Sequence, residues 1–414
     1  MVRPPLPSLA RPLVFGLALW AIALVAIEAQ VISGRFVSEF HIYAKATWAW
    51  WRGAEIYEDG INGFLYLPSS AVLFTPWAYL PPLLGDALWR LSLLAVCWWG
   101  VARLCRLLAP VDSPGADYPG ADCPGTDWQR LFGVALLAAL PIGVVDLRGA
   151  QTEFLMLGLM LAGLADVAEG RWRRAAFLLV LAGAFKPQAL ALVMLAFALW
   201  PRLRLSLALW LVAALALPLA HWDPGYALGE YGQLVRKTMS SANPGGGVWH
   251  DFANGLATLG LPLDLMAQTV IRALAGVAVL ILARGAVSRL PAPKAAATVA
   301  ALMVTYLLLF NPRTVLGHFG DMALVAGALA GWEFHIRRNR ALGWVLVLLC
   351  FALTTHVWTR GLHLATATWF KPLLACGFGL YVVVRWVPSL SDRTVAGRQD
   401  ATQDAPRESL AIQG

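Results

Sequence analysis

The chain has 414 residues, of which 59% are hydrophobic and only 14% charged, against about 25% charged in a soluble domain, and this excludes an ordinary soluble protein. Its net charge of +8 comes from short basic clusters between apolar runs, the pattern of cytoplasmic membrane loops and not of a nucleic-acid surface, so no nucleic acid is expected as a partner. The five cysteines (Cys97, Cys105, Cys123, Cys350 and Cys376) have neither CxxC nor metal-ligand spacing, and four lie in apolar runs, so they are read as reduced structural thiols.

Apolar runs of roughly 15–22 residues recur from end to end, long enough for membrane helices and too continuous for barrel strands. Met1 to Arg11 is basic and precedes an apolar run without a small-residue cleavage site, so an uncleaved first span is expected. Twelve spans are predicted, at about 12–32, 87–108, 129–147, 152–168, 174–187, 188–200, 204–221, 264–284, 295–311, 317–333, 341–358 and 366–386. The stretch 66–84 is apolar but interrupted by Pro68, Pro76, Pro81 and Pro82, each removing a helical hydrogen bond. If it does not cross, "RWRR" (171–174), "PRLR" (201–204), "RRNR" (337–340) and both termini share one side, which the positive-inside rule makes cytoplasmic. The expectation is therefore an all-α polytopic membrane protein with both termini cytoplasmic and 66–84 interfacial or re-entrant on the outer side. Residues 1–388 form the transmembrane domain, with a first outer loop at 33–86 carrying interfacial helices and a long outer loop at 221–263. The cytoplasmic stretch 111–127, with Asp112, Asp117, Asp122 and Asp127, is too widely spaced for a calcium loop and reads as a flexible acidic linker. Residues 389–414 read as a polar, disordered cytoplasmic tail.

This sorting gathers polar groups on the outer face: Glu39 and His41 in "SEFHIYAK", Arg148, Gln151 and Glu153 in "LRGAQTE", Lys186 in "FKPQ", Arg313 and His318 in "NPRTVLGHF", and His356 and His363. An ionisable group within a turn of an apolar span is costly and so is a functional candidate. A carboxylate there could be a general base, and cations there could hold a phosphate. Lys186 needs a partner, either a phosphate or an outer-face acid. His41 could orient Glu39, touch substrate or be a plain interfacial histidine. Trp48, Trp50 and Trp51 read as an interfacial belt, with sugar stacking the minority alternative, and Glu55, Glu58 and Asp59 as a solvated turn. The glycine-rich "NPGGGVWHDFANGL" could be a lid or a bare connector.

The segment "SEFHIYAKATWAWWRGAEIYED…FLYLPSSAVLFTPWAYLP" resembles the opening of glycosyltransferase family 87 proteins. "RGAQTEFLMLGLMLAGLADVAEGRWRRAAFLLVLAGAFKPQALAL" resembles that family's Gly-Gln-x-Asn helix, basic turn and Lys-Pro helix, and "NPRTVLGHF" its Pro-Arg loop. The resemblance runs over about residues 35–330 and implies a GT-C-type fold. It also implies an inverting enzyme that moves a sugar, mannose-like, from a polyprenyl-phosphate donor to a lipid or glycan acceptor, with no cofactor required. It places the catalytic base at Glu39 and a donor-phosphate contact at His318, with Arg313, Lys186, His41 and Gln151 as further binding candidates. Two departures stand out: Glu39 replaces the family's Asp, and Gly-Gln-x-Asn reads Ala150-Gln151-Thr152-Glu153. No metal site is demanded, since no His/Asp cluster has ligand spacing, although a bound divalent ion is compatible with the sequence. The rival class is a multi-span transporter or lipid-linked-glycan flippase, which would carry paired ionisable groups near span midpoints and related halves. A polysaccharide polymerase or ligase is a third option, but its large outer loop would follow several spans.

Overall fold

The computed structural model describes residues 10–58, 63–109, 127–241, 249–366 and 368–387. Arg3, Asp59, Asp112, Asp117, Asp122, Cys123, the glycines at 245–247 and the 389–414 tail lie outside the described residues, as do the side chains of His356 and Arg360.

The described chain is helical throughout. In order the helices are α1 (Arg11–Ile32), α2 (Phe40–Arg52), α3 (Pro68–Leu73), α4 (Thr75–Ala78), α5 (Pro82–Leu108), α6 (Asp127–Gly149), α7 (Glu153–Ala168) and α8 (Trp172–Phe185). They continue with α9 (Leu190–Leu199), α10 (Arg204–Ala216), α11 (Pro224–Ser241), α12 (Phe252–Thr258), α13 (Leu265–Arg289) and α14 (Ala292–Phe310). The last are α15 (Phe319–His335), α16 (Arg340–Ala352), α17 (Thr355–Trp358), α18 (Arg360–Thr366) and α19 (Phe370–Trp386).

Among the described residues, six helical stretches are long and apolar enough to cross a bilayer: α1, α5, α6, Pro201–Ala220 containing α10, α13 and α14. The remaining six expected spans are also helical, but shorter: α7, α8, α9, α15, α16 and α19 have 16, 14, 10, 17, 13 and 17 residues. Hydropathy counts an apolar run without registering where the helix stops. Pro187 and Pro201 each open a 3-10 turn that cuts such a run. In the stretch 66–84 the prolines act the same way, leaving α3 and α4 with six and four residues before α5 begins at Pro82.

The interior is built around α7, whose residues from Glu153 to Val167 are all buried. It packs on α5 through Gly100 and Gly158: a Cβ on Gly100 would stand 2.2 Å from the Gly158 carbonyl oxygen, and one on Gly158 2.2 Å from that of Val96. Backbone-to-backbone contact of this kind maximises dispersion where lipid supplies no hydrophobic drive between helices. Along α15, Gly327 and Gly331 meet Ala135 and Leu131 of α6 in the same way.

The polar groups segregate to the two ends of this bundle. At one end Arg103 reaches Asp166 at 2.8 Å and Glu169 at 2.7 Å, and Arg174 reaches Asp166 at 3.0 Å. The other end is capped by α2, α3, α4 and α11, joined by His221 to the Trp50 carbonyl at 3.1 Å, Tyr226 to the Ala54 carbonyl at 2.6 Å and Lys237 to the Glu58 carbonyl at 2.6 Å. The tryptophans of α2 face this cap and not a lipid belt. Trp50 is fully buried against His221 and Tyr226, while Trp48 and Trp51 donate to the Ala78 carbonyl and to Thr75 Oγ1. An indole that finds an acceptor inside the protein has no need of the headgroup layer. Cys97, Cys105 and Cys350 are buried free thiols and Cys376 is an exposed one.

Gly158→Val drives a side chain into backbone on α5 that cannot yield, so its cost should exceed the about 1–3 kcal/mol of ordinary core overpacking. The expected outcome is a lower melting temperature and loss of the monodisperse peak in detergent, whereas Gly361→Ala, with open space around it, should leave both unchanged.

Candidate functional site

The site forms at the capped end, around the turn from α6 to α7. This turn reverses the chain in the three residues 150–152, and Ala150 adopts a left-handed φ of 56° to close it. That conformation costs an L-residue about 1–2 kcal/mol, and Ala150 occupies the position where the family resemblance has glycine. Three donors hold the exposed carbonyls of the turn. Arg90 Nε reaches Leu147 O at 3.1 Å, Trp89 Nε1 reaches Ala150 O at 2.9 Å, and the Glu39 backbone N–H reaches Gly149 O at 2.9 Å. Arg90 is fully buried and is neutralised by Glu28 at 2.9 Å and Asp86 at 3.1 Å. Asp86 also accepts from Ser38 Oγ at 3.0 Å, which fixes the residue before Glu39.

Held in this way, Glu39 precedes the first turn of α2 with its carboxylate half-buried. Gln151 Nε2 donates to its Oε1 at 2.5 Å. Burial raises the Glu39 pKa above 4.5; the Gln151 hydrogen bond opposes this, Glu153 adds to it, and Lys186 and His41 oppose it. The net effect is a stronger base than an exposed carboxylate.

Behind Glu39, Glu153 opens α7 and is paired with both Lys186 and His318. Lys186 is presented by the break between α8 and the Pro187 turn, and His318 by the 3-10 turn Leu316–His318 that leads into α15. Lys186 also faces the Tyr66 ring at 5.9 Å, and Tyr66 OH meets Tyr43 OH at 3.0 Å. Arg313 stacks over the Trp249 ring at 5.1 Å, and its buried Nη1 has no partner. Asp146 and Asp321 are buried close behind, with Asp146 Oδ1 3.0 Å from where a Cβ on Gly317 would stand. Both Asp146 oxygens and Asp321 Oδ1 lack hydrogen-bond partners. Among the described residues, no three His, Cys, Asp or Glu side chains converge to hold a metal ion.

Of the residues singled out in the sequence, Glu39 pairs with Gln151, Lys186 and His318 meet through Glu153, the two groups act on each other electrostatically, and Arg313 lies nearby. His41 points away: it is exposed, and its Nδ1 meets the Ser38 carbonyl at 2.6 Å, so it does not contact Glu39. Arg148 packs on the Phe36 ring at 4.2 Å. Lys45 and Glu58 pair with each other in the open. In the sequence Glu153 was one of the outer-face polar groups and a departure from the family pattern, with no role assigned to it, whereas in the structure it joins the two cations. The signal for it was Lys186, whose isolation between apolar stretches required an acid or a phosphate nearby.

An α-helical membrane protein with a basic carboxylate set beside a group of cations is the class that fold and site define. The profile of glycosyltransferase family 87 matches residues 64–312, more than half of the chain, and the chain belongs to that family. Gln151, Glu153 and Lys186 lie inside the match; Glu39 precedes it, and Arg313 and His318 follow it. A comparison with curated proteins finds no match.

Two measurements check this geometry. Glu153→Gln leaves the Lys186 ammonium buried without a counter-charge, and thermal unfolding in detergent should show a loss of about 3–5 kcal/mol. Ala150→Gly releases the left-handed strain at some cost in unfolded-chain entropy, so its melting temperature should hold or rise, by no more than about 1 kcal/mol in equivalent free energy.

Proposed function

We propose that this glycosyltransferase is an inverting enzyme that takes a sugar, mannose-like, from a polyprenyl-phosphate donor and passes it to a hydroxyl of a lipid or glycan acceptor. The reaction takes place at the outer face of the bacterial inner membrane, with both termini cytoplasmic. The observation that carries the proposal is Glu39, made more basic by burial, hydrogen-bonded to Gln151 and set beside Lys186, His318 and Arg313.

In the proposed step Glu39 accepts the proton of the acceptor hydroxyl as its oxygen attacks the anomeric carbon. The bond from that carbon to the phosphate oxygen breaks, and polyprenyl phosphate departs with the electron pair. A single displacement inverts the anomeric centre. Of the other carboxylates nearby, Glu153 is tied to Lys186 and His318 and Asp146 and Asp321 are buried behind it, which argues against a second displacement through a glycosyl-enzyme. Arg313 has an N–H without a partner, and a lysine ammonium has three donors, so both can turn to the phosphate as charge grows on it. His318 and Gln151 complete the donor contacts, and no cofactor is invoked.

Transfer of radiolabelled sugar from polyprenyl phosphate by the purified protein is the test. Glu39→Gln should lower the rate about 10²–10⁴-fold, as expected for removal of a general base. Unchanged transfer would remove Glu39 from the mechanism, and ion or lipid flux in place of transfer would favour the transporter reading. Labelling of a cysteine at position 39 from the cytoplasmic side would overturn the outer-face assignment.

The pH profile gives a separate check. The base must be ionised, and its raised pKa places the acid limb of activity above pH 4.5. Gln151→Leu removes the hydrogen bond that favours the ionised form, so the limb should move to still higher pH. A limb that stays in place when Gln151 is lost would show that Glu39 is not the titrating group.

A further inference from the structure

The carboxylate of Glu153 occupies the same donors that the mechanism above assigns to the phosphate. Its Oε1 takes both Lys186 Nζ and His318 Nε2, while its Oε2 is buried and meets no donor. The three side chains are almost fully enclosed: Glu153 is 1% exposed, His318 7% and Lys186 8%. Water therefore screens little of what these charges do to an anion arriving beside them.

The charges at this spot can be counted. Lys186 and Arg313 bring two positive charges and Glu153 one negative, so the set carries one net positive charge, and His318 adds another only when protonated. An asparagine, which the family resemblance has at position 153, would offer Lys186 an amide oxygen and leave the set one unit more positive. Asp146 and Asp321 are buried behind Glu153, and any charge they carry acts in the same direction as its own.

The proposed reaction changes the charge of the group held there. A sugar linked to polyprenol through a phosphodiester carries one negative charge. Polyprenyl phosphate is a monoester with a second pKa of about 6, and carries about 1.5 to 2 negative charges at neutral pH. While the sugar moves, Glu39 is neutralised by the acceptor proton as the phosphate gains its charge, so the sum over the site holds constant. When that proton passes from the half-buried Glu39 to water, the carboxylate recovers its charge. The site then holds one negative charge more than it did with the donor.

We propose that Glu153 is a specificity-determining residue that fits this site to a singly charged phosphodiester, so that the donor is held and the more highly charged product is expelled. The inference rests on the glycosyltransferase reading above. Its geometric basis is the direct contact of one buried carboxylate oxygen with both Lys186 and His318.

Farnesyl phosphate and its monomethyl ester share a chain and differ by one ionisable oxygen, and their equilibrium binding to the full-length protein in neutral detergent is the test. The wild-type protein should bind the methyl ester at least as tightly as the monoester. Glu153→Gln should tighten the monoester relative to the methyl ester by about 10- to 100-fold, the size of one poorly screened contact between like charges. Glu153→Asp, which keeps the charge, should leave the ratio near wild type. In the transfer assay, Glu153→Gln should lower the inhibition constant of polyprenyl phosphate by more than it lowers the donor KM. A purely structural Glu153 would move both esters together, and that result overturns the proposal. A wild-type protein that binds the monoester more tightly also overturns it, and this comparison stands even if Glu153→Gln fails to fold. If neither ester binds, or if Arg313→Gln affects neither, the donor-phosphate reading falls together with the inference. Both esters bound through Arg313, at a ratio unchanged by Glu153→Gln, would keep that reading and overturn the inference alone.

Discussion

The carbonyl oxygens between α6 and α7 must be satisfied in a place that water does not reach, and the capped end of the protein is organised by that requirement. An unpaired backbone acceptor in a dry interior costs as much as a lost hydrogen bond. The three donors that meet it come from two segments: Arg90 and Trp89 on α5, and the backbone of Glu39 ahead of α2. Each brings its own segment into register. The same bonds that complete the turn therefore fix the distance between Glu39 and Gln151, whose positions in sequence are 112 residues apart. Rigidity at the turn becomes orientation of the carboxylate.

The charges of α7 follow from its burial. Its residues from Glu153 to Val167 are all buried, so the acids at its two ends cannot rely on solvent. Asp166 is met by Arg103 and Arg174, and Glu153 by Lys186 and His318. The two ends differ in what surrounds them. Around Asp166, Arg103 also reaches Glu169, as does Arg171, so the two acids share their arginines as a structural clamp. Around Glu153 the oxygens of Asp146 and Asp321 stay unpartnered and Arg313 keeps an open N–H. Incompletely satisfied polar groups gather where chemistry is done, because a site that had already saturated its donors would have nothing left for substrate.

Much of this end was legible in the sequence because charge in an apolar chain is rare and each instance calls for a reason. Loop sorting alone brought Glu39, Gln151, Lys186, Arg313 and His318 to one face, and the structure draws four of them into two neighbouring sets, Glu39 with Gln151 and Lys186 with His318 through Glu153. What sequence could not supply was pairing. Lys186 demanded a partner without saying which, and Glu153 looked like a mismatch until both were seen together. The α2 tryptophans were misread for a related reason: an aromatic row has the same spacing whether it meets headgroups or a protein cap. His41 was drawn in by adjacency to Glu39, but at the start of a helix neighbouring side chains diverge, and it faces outward. Of the twelve expected spans, six are helices long and apolar enough to cross and six are shorter, because hydropathy is blind to the prolines that end a helix inside an apolar run.

Those short helices have a consequence for the lipid around them. Helices α8 and α9, at 14 and 10 residues, rise about 21 and 15 Å, well under the roughly 30 Å of a hydrocarbon core. On α9, Met194 and Phe197 are 69% and 46% exposed, so acyl chains meet this part of the surface directly. Hydrophobic mismatch of this size is relieved by thinning of the adjacent leaflets, at fractions of a kcal/mol per ångström. The thinned patch adjoins the Lys186–Pro187 break, which joins the two short helices. Whatever approaches the protein there meets a bilayer of altered thickness, so membrane thickness becomes a variable of the protein and not merely its setting.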